Sequence, residues 1–152
     1  MTMLPSDVFA IDPGPGVSGF YSGPTRHGVM PNEDLLGALS KMPGSVLAVE
    51  MLEPRGMPLG KESIETVLWA GRFVQEWTQW HKDWMMVYRT AVKLMLCGTA
   101  RANDANVRQA LIDIYGHPGT KKAPGGTYGI KSHAWAALAV WHYATQTIGA
   151  AA

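Results

Sequence analysis

Val8-Phe9-Ala10-Ile11-Asp12-Pro13-Gly14-Pro15-Gly16-Val17-Ser18-Gly19-Phe20 is the stretch that decides the fold. Its first four residues form a continuous apolar run, and the Asp-Pro-Gly-Pro-Gly that follows stops this strand in a turn. Val17 to Ser22 and Arg26 to Met30 read as two further strands, joined near Gly23-Pro24. Pro31-Asn32-Glu33-Asp34 then opens a helix, with Asn32 as its expected cap and two acids suited to its dipole. That helix stops by Pro43-Gly44, and Val46-Leu47-Ala48-Val49 is a second continuous apolar strand, ending at Glu50.

Downstream, residues 61–82 are the longest periodic segment. Ile64, Val67, Leu68, Gly71 and Val74 share one helical face, while Trp69, Phe73, Trp77 and Trp80 form a second stripe. Two apolar faces on one helix imply more than one burial surface. Trp84 to Tyr88 reads as a strand, 90–97 as a helix ended by Gly98, and 104–115 as a helix ended by Gly116. A loop rich in Gly, Pro and Lys covers 117–129, and a closing helix covers 131–148. This order predicts an α/β fold in which an antiparallel hairpin lies beside parallel strands in one mixed sheet flanked by helices. No repeat or linker interrupts it, so a single domain is expected over residues 1–152.

The chain has 152 residues, 47% hydrophobic and 16% charged, which excludes a disordered tail, a collagen-like repeat and a coiled coil. No apolar run approaches the ~20 residues of a membrane helix, and the first residues lack the pattern of a signal peptide. The lone Cys97 cannot form an internal disulfide and suits a reducing compartment, so a cytoplasmic protein with no membrane partner is expected. The formal net charge of +1 hides a division. Residues 1–80 carry five basic and nine acidic side chains, whereas residues 81–152 carry eight and three. An acidic site facing a basic binding surface would produce such a split, as would solvated faces of opposite sign.

Asp12 and Glu50 each follow an apolar strand directly. Central parallel strands carry active sites at their carboxyl ends, and two carboxylates on adjacent strand ends can bind a hard divalent cation. Asp-Pro-Gly is also a strong turn former, so Asp12 alone is ambiguous.

Together with its neighbours, the opening stretch resembles the start of RuvC-type Holliday junction resolvases, in the ribonuclease H-like superfamily. In that family a strand ending in Ile-Asp-Pro-Gly supplies the first metal-binding carboxylate, which matches Asp12, and Val49-Glu50 looks like the second. Val87-Tyr88-Arg89-Thr90-Ala91-Val92-Lys93, Gly98-Thr99-Ala100-Arg101-Ala102 and Asn106-Val107-Arg108-Gln109 resemble the family's following segments in order. His133-Ala134-Trp135-Ala136-Ala137-Leu138-Ala139-Val140 is similar to its final helix, with His133 at a position filled by Asp or His. Ala136 departs from the pattern, because an aspartate is expected there and no acid follows Asp113.

The resemblance implies a ribonuclease H-like fold and a metal-dependent endonuclease that resolves Holliday junctions or related branched DNA. Catalysis is assigned to Asp12, Glu50 and His133, with Asp104 as a candidate replacement for the missing acid or else a helix cap. Asp12, Glu50 and His133 are the expected ligands of magnesium or manganese, two ions in all; His133 suits manganese better and is alternatively the general base. Lys93, Arg101, Arg108, Lys121, Lys122 and Lys131 are expected on DNA phosphates, and Arg55 and Met57 at unpaired bases. A four-way junction has two-fold symmetry, so a homodimer is expected, with the Trp69–Phe73–Trp77–Trp80 stripe as its interface. The alternative is an impaired protein of the same fold that binds junctions but cuts poorly for want of an acid at Ala136.

Overall fold

A computed structural model describes residues 7–81 and 83–151. The chain runs β1 (Val8–Asp12), β2 (Val17–Gly23), β3 (Arg26–Pro31), α1 (Asn32–Ala38), a 3-10 turn (Leu39–Lys41), β4 (Val46–Met51) and α2 (Lys61–Trp80). It continues through β5 (Asp83–Tyr88), α3 (Arg89–Cys97), α4 (Asp104–Tyr115) and α5 (His133–Ala151). The strands form one sheet in the order β3-β2-β1-β4-β5. The β1–β2 and β2–β3 pairs are antiparallel, and β1–β4 and β4–β5 are parallel. This is the mixed α/β sheet that the order of apolar runs and turn residues predicts. The expected helix end at residue 82 and the N-terminal residues 1–6 lie outside the described residues. Among the described residues, no helix is long and apolar enough to cross a membrane.

The alternation of side chains along β1 divides the core in two. Val8 and Ala10 point into a cluster with Tyr21, Ala48 and Val87, covered by Val92 of α3, Leu111 of α4 and the alanine-rich face of α5. Phe9 and Ile11 point the other way, into a cluster with Phe20, Leu47 and Val49, covered by Leu35 of α1 and Ala70, Phe73 and Trp77 of α2. Both faces of β1 and β4 are thus buried, which is why their sequences are apolar without interruption.

Two expectations need correction. Phe73 and Trp77 are core residues, fully buried against the sheet, so the aromatic stripe is not a free surface. The Trp77 ring stacks on Phe9 with centroids 5.9 Å apart, and its indole N–H donates to the Asp83 carbonyl at 3.0 Å. Trp69 is half-buried and Trp80 exposed, while Ile64, Val67 and Leu68 on the other face are uncovered. The wide rings fill the space beneath β1 and β4, and the aliphatic face is left outside. Asn32, for its part, is not a cap. It is the first residue of α1, and its buried amide accepts from Ser18 Oγ at 2.6 Å and donates to the Gly14 carbonyl at 2.8 Å.

Because Phe73 is core, Phe73→Ala is expected to cost about 3–5 kcal/mol, read as a lower midpoint in urea. A loss within about 0.5 kcal/mol, the usual range for surface substitutions, would return the stripe to the surface.

Candidate active site

Parallel pairing of β1 with β4 proceeds in register from Val8 opposite Val46 to Ile11 opposite Val49. The next step brings Asp12 beside Glu50 at the carboxyl ends of both strands, near enough for each carboxyl group to act on the other. Both side chains are largely withdrawn from solvent, at 14% and 12% exposure. Burial first, then the facing Asp12 carboxylate, push the Glu50 carboxyl well above the usual carboxylate range, and the Arg89 guanidinium only partly opposes this.

His133 completes the cluster from the start of α5, with Nδ1 3.2 Å from Asp12 Oδ2. The hydrogen bond that His133 Nδ1–H gives to the Asp12 carboxylate is the main cause raising the His133 pKa above its ordinary value; burial and Arg89 pull it down. Gly19 makes this approach possible. It lies opposite Asp12 on β2, and a Cβ there would sit 2.2 Å from the His133 carbonyl oxygen. Ser132, just before His133, adopts a left-handed φ of 50°, a conformation that costs a non-glycine residue energy and that the surrounding packing must hold. On the other side of Asp12, the Asp-Pro-Gly turn is pinned by buried polar groups. Gly14 N donates to Ser18 Oγ at 3.2 Å, Ser18 donates to Asn32, and the Asn32 backbone N–H reaches the Gly16 carbonyl at 2.9 Å.

Arg89 enters from the end of β5, where Tyr88 pairs with Met51 of β4. Its Nε lies 3.8 Å from Glu50 Oε1 and its Nη2 2.7 Å from Asp104 Oδ1. Asp104 is therefore close to the cluster, yet its oxygen is engaged by Arg89 and its side chain is 77% exposed. It is not the cap of α4 either. Asn103 is, in a reciprocal box with Asn106 (Asn106 N to Asn103 Oδ1 2.8 Å, Asn103 N to Asn106 Oδ1 3.1 Å).

A cleft of about 550 Å³ joins Asp12, Glu50, Arg89, Asp104, His133 and Ala136. Lys93 and Arg108 also line it, and the Arg108 guanidinium sits over the Trp135 ring at 5.3 Å. Arg55, Met57, Arg101, Lys121, Lys122 and Lys131 do not line the cleft and are exposed. The loop bearing Lys121 and Lys122 is built rather than loose. Thr120 and Ala123 exchange backbone bonds of 3.0 and 3.1 Å, and Gly125 and Gly126 pack so tightly on the His117 and Tyr115 carbonyls that no side chain fits.

Sequence reasoning assigned no role to Arg89, nor to Glu62, Ser63 and Thr66 of α2, which face the same cleft. The signal for Arg89 was available, since it follows a parallel strand end as Asp12 and Glu50 do. Two carboxylates supply hard oxygen donors of the kind magnesium and manganese take when phosphate and water fill the remaining positions. Among the described residues, no group of three or more His, Cys, Asp or Glu side chains is assembled as a ligand set. Asp12 and Glu50 are thus a pair of oxygen donors without a third such side chain assembled beside them.

Folding raises the Glu50 pKa, so the native state binds that proton more tightly than the unfolded chain. Stability accordingly falls as pH climbs from the unfolded value, about 4.3, through the folded one. Glu50→Gln removes this loss. The variant is expected to melt above wild type in metal-free buffer at pH 7, with the difference closing below pH about 4. Equal melting temperatures at pH 7 would contradict the raising of the Glu50 pKa by burial and by the facing Asp12.

No protein-family model and no curated protein matches the sequence. Among solved structures, RuvC of Thermus thermophilus is similar at 21% identity with a TM-score of 0.64, covering 95% of each chain. T. thermophilus RuvC in complex with Holliday junction substrate is similar at the same identity and TM-score, covering 93% of this chain and 96% of that one. What these share with the present protein is architecture: the chain has the ribonuclease H-like fold of RuvC.

Proposed function

We propose that this chain is a divalent-metal-dependent, structure-selective DNA endonuclease, a single nuclease domain that resolves Holliday junctions or related branched DNA by phosphodiester hydrolysis. One observation carries the reading. Asp12, Glu50 and His133 meet at the carboxyl ends of adjacent parallel strands, in a cleft lined by cationic side chains, on a fold shared with RuvC. The RuvC structure solved with a Holliday junction supplies the substrate class.

Asp12 and Glu50 are the proposed holders of magnesium or manganese, which when bound would polarise the phosphate and acidify the attacking water. His133, oriented through Nδ1 by Asp12, accepts the water proton at Nε2. Water adds to phosphorus, the bond to the leaving sugar oxygen breaks, and that oxygen takes a proton from solvent. Lys93 and Arg108 hold phosphates in the cleft, and Arg101, Lys121, Lys122 and Lys131 grip the arms outside it, with Arg55 and Met57 at the unpaired bases. The expected compartment is the cytoplasm, where the lone Cys97 stays reduced.

Paired cuts across a two-fold junction call for a two-fold dimer. Its best support in this chain is the uncovered face of α2, where Ile64 and Leu68 are 57% and 62% exposed one turn apart. Leu68→Asp is then expected to give folded monomers by light scattering and circular dichroism. A dimer of wild-type strength would remove this face from the interface.

The enzymatic reading is tested with a labelled four-way junction and a linear duplex, each with magnesium or manganese. Symmetric nicks are expected in the junction alone. Asp12→Asn keeps the shape and removes the charge, so it is expected to abolish cleavage while leaving junction binding largely intact. Binding without cuts by wild type in either metal would favour the impaired junction binder, the outcome that Ala136 makes conceivable.

A further inference from the structure

The cleft contains a cation of its own. Arg89 Nε lies 3.8 Å from Glu50 and Nη2 lies 2.7 Å from Asp104, while the side chain as a whole stays 48% exposed and lines the cleft. Its position is fixed from several directions. Tyr88, at the end of β5, delivers it beside β4. Thr90, its neighbour, gives its backbone N–H at 3.2 Å to Glu53 and its hydroxyl to the same oxygen, tying the start of α3 to the segment after β4. Asp104 is itself held at the first turn of α4 by the Asn103–Asn106 box.

A second metal ion would need ligands that this cleft does not present. Ala136 lines it without a donor, Asp104 is already paired with Arg89, and Glu62 of α2, though it lines the cleft, completes no group of three or more His, Cys, Asp or Glu side chains among the described residues. A guanidinium carries a permanent charge and five N–H donors in a plane. With Nε and Nη2 turned to carboxylates, the remaining donors are free for a phosphate oxygen, to which guanidinium groups bind strongly.

We infer that Arg89 is a catalytic residue that stands in place of a second metal ion, binding a non-bridging oxygen of the scissile phosphate, and that Asp104 is the positioning residue that holds it. The inference rests on the nuclease reading and deepens it: one divalent ion, held by Asp12 and Glu50, works beside a fixed organic cation. Arg89 exchanges no proton in this scheme. It neutralises charge that grows on the phosphate oxygens while water adds and the sugar oxygen leaves.

The test combines calorimetric titration of manganese into DNA-free protein with single-turnover cleavage of a four-way junction. Wild type is expected to bind one manganese ion per chain. Arg89→Met is expected to bind manganese more tightly, because a competing charge beside Glu50 is gone, and to cut about 100-fold more slowly. Arg89→Lys, which keeps the charge and guards against a folding defect, is expected to recover part of that rate. Asp104→Asn is expected to slow cleavage at saturating junction and leave manganese affinity unchanged. A wild-type chain that cuts no junction overturns the nuclease reading itself. A wild-type chain that cuts while binding two manganese ions, or Arg89→Met that cuts at the wild-type rate, overturns only the assignment of Arg89. Loss of manganese affinity in Asp104→Asn would likewise overturn it and make Asp104 a ligand.

Discussion

The parallel pairing of β1 with β4 is the constraint on which the molecule depends. Both strands are buried on both faces, so their peptide groups have no water to bond and must satisfy each other along the ladder. That requirement fixes the register from Val8–Val46 to Ile11–Val49. It also forces Asp12 and Glu50 together, an arrangement two carboxylates would not choose on their own. The apolar clusters on either side, with Phe9, Phe73 and Trp77 beneath and Ala10, Leu138 and Val87 above, supply the stability that tolerates it. The strained opening of α5 and the close passage of Gly19 belong to the same pattern, in which favourable packing sustains an unfavourable local arrangement at the cleft.

Much of this architecture is legible in the sequence, because it is written in local signals. Apolar runs stopped by Pro and Gly mark β1 and β4, and the order of strands and helices implies a mixed sheet. The carboxylates at the two strand ends are readable for the same reason. Legibility fails where one residue type serves two physical ends. Asn32 begins a helix, as a capping residue would, but its amide is spent inside the turn after Asp12. Of two adjacent polar residues, Asn103 and Asp104, only the backbone geometry tells which one caps α4. Helix α2 has two apolar faces, and periodicity cannot say which one meets the sheet. Ring size decides it, since the space under β1 takes Trp77 and Phe73. The place of Arg89 after a strand end is local, but its partners are not, lying 39 residues before it and 15 after it in sequence.

The cationic residues fall into two groups with different surroundings. Arg89, Lys93 and Arg108 share the cleft with the carboxylates, and the Arg108 guanidinium lies over the Trp135 ring. Arg55, Arg101, Lys121, Lys122 and Lys131 stand on connecting segments outside it. The uneven charge of the two halves of the sequence thus becomes a spatial division. The acids of the N-terminal half reach the cleft on β1 and β4, and the bases of the C-terminal half reach it on α3 and α4.

The bond between Glu53 and Thr90 bears on how far this fold is modular. Helix α3 begins at Arg89 without a side-chain cap from its own flanking residue, and the acceptor for Thr90 comes from 37 residues earlier, on the connection between β4 and α2. That connection also carries Arg55 and Met57, and connections of this kind are what one exchanges when grafting a new specificity onto an old scaffold. Here the graft would not be neutral. A transplanted segment lacking an acceptor at position 53 would leave the first turn of α3 unanchored, and with it the backbone from which Arg89 projects. The segment is interchangeable in length and tip, but its root is part of the scaffold.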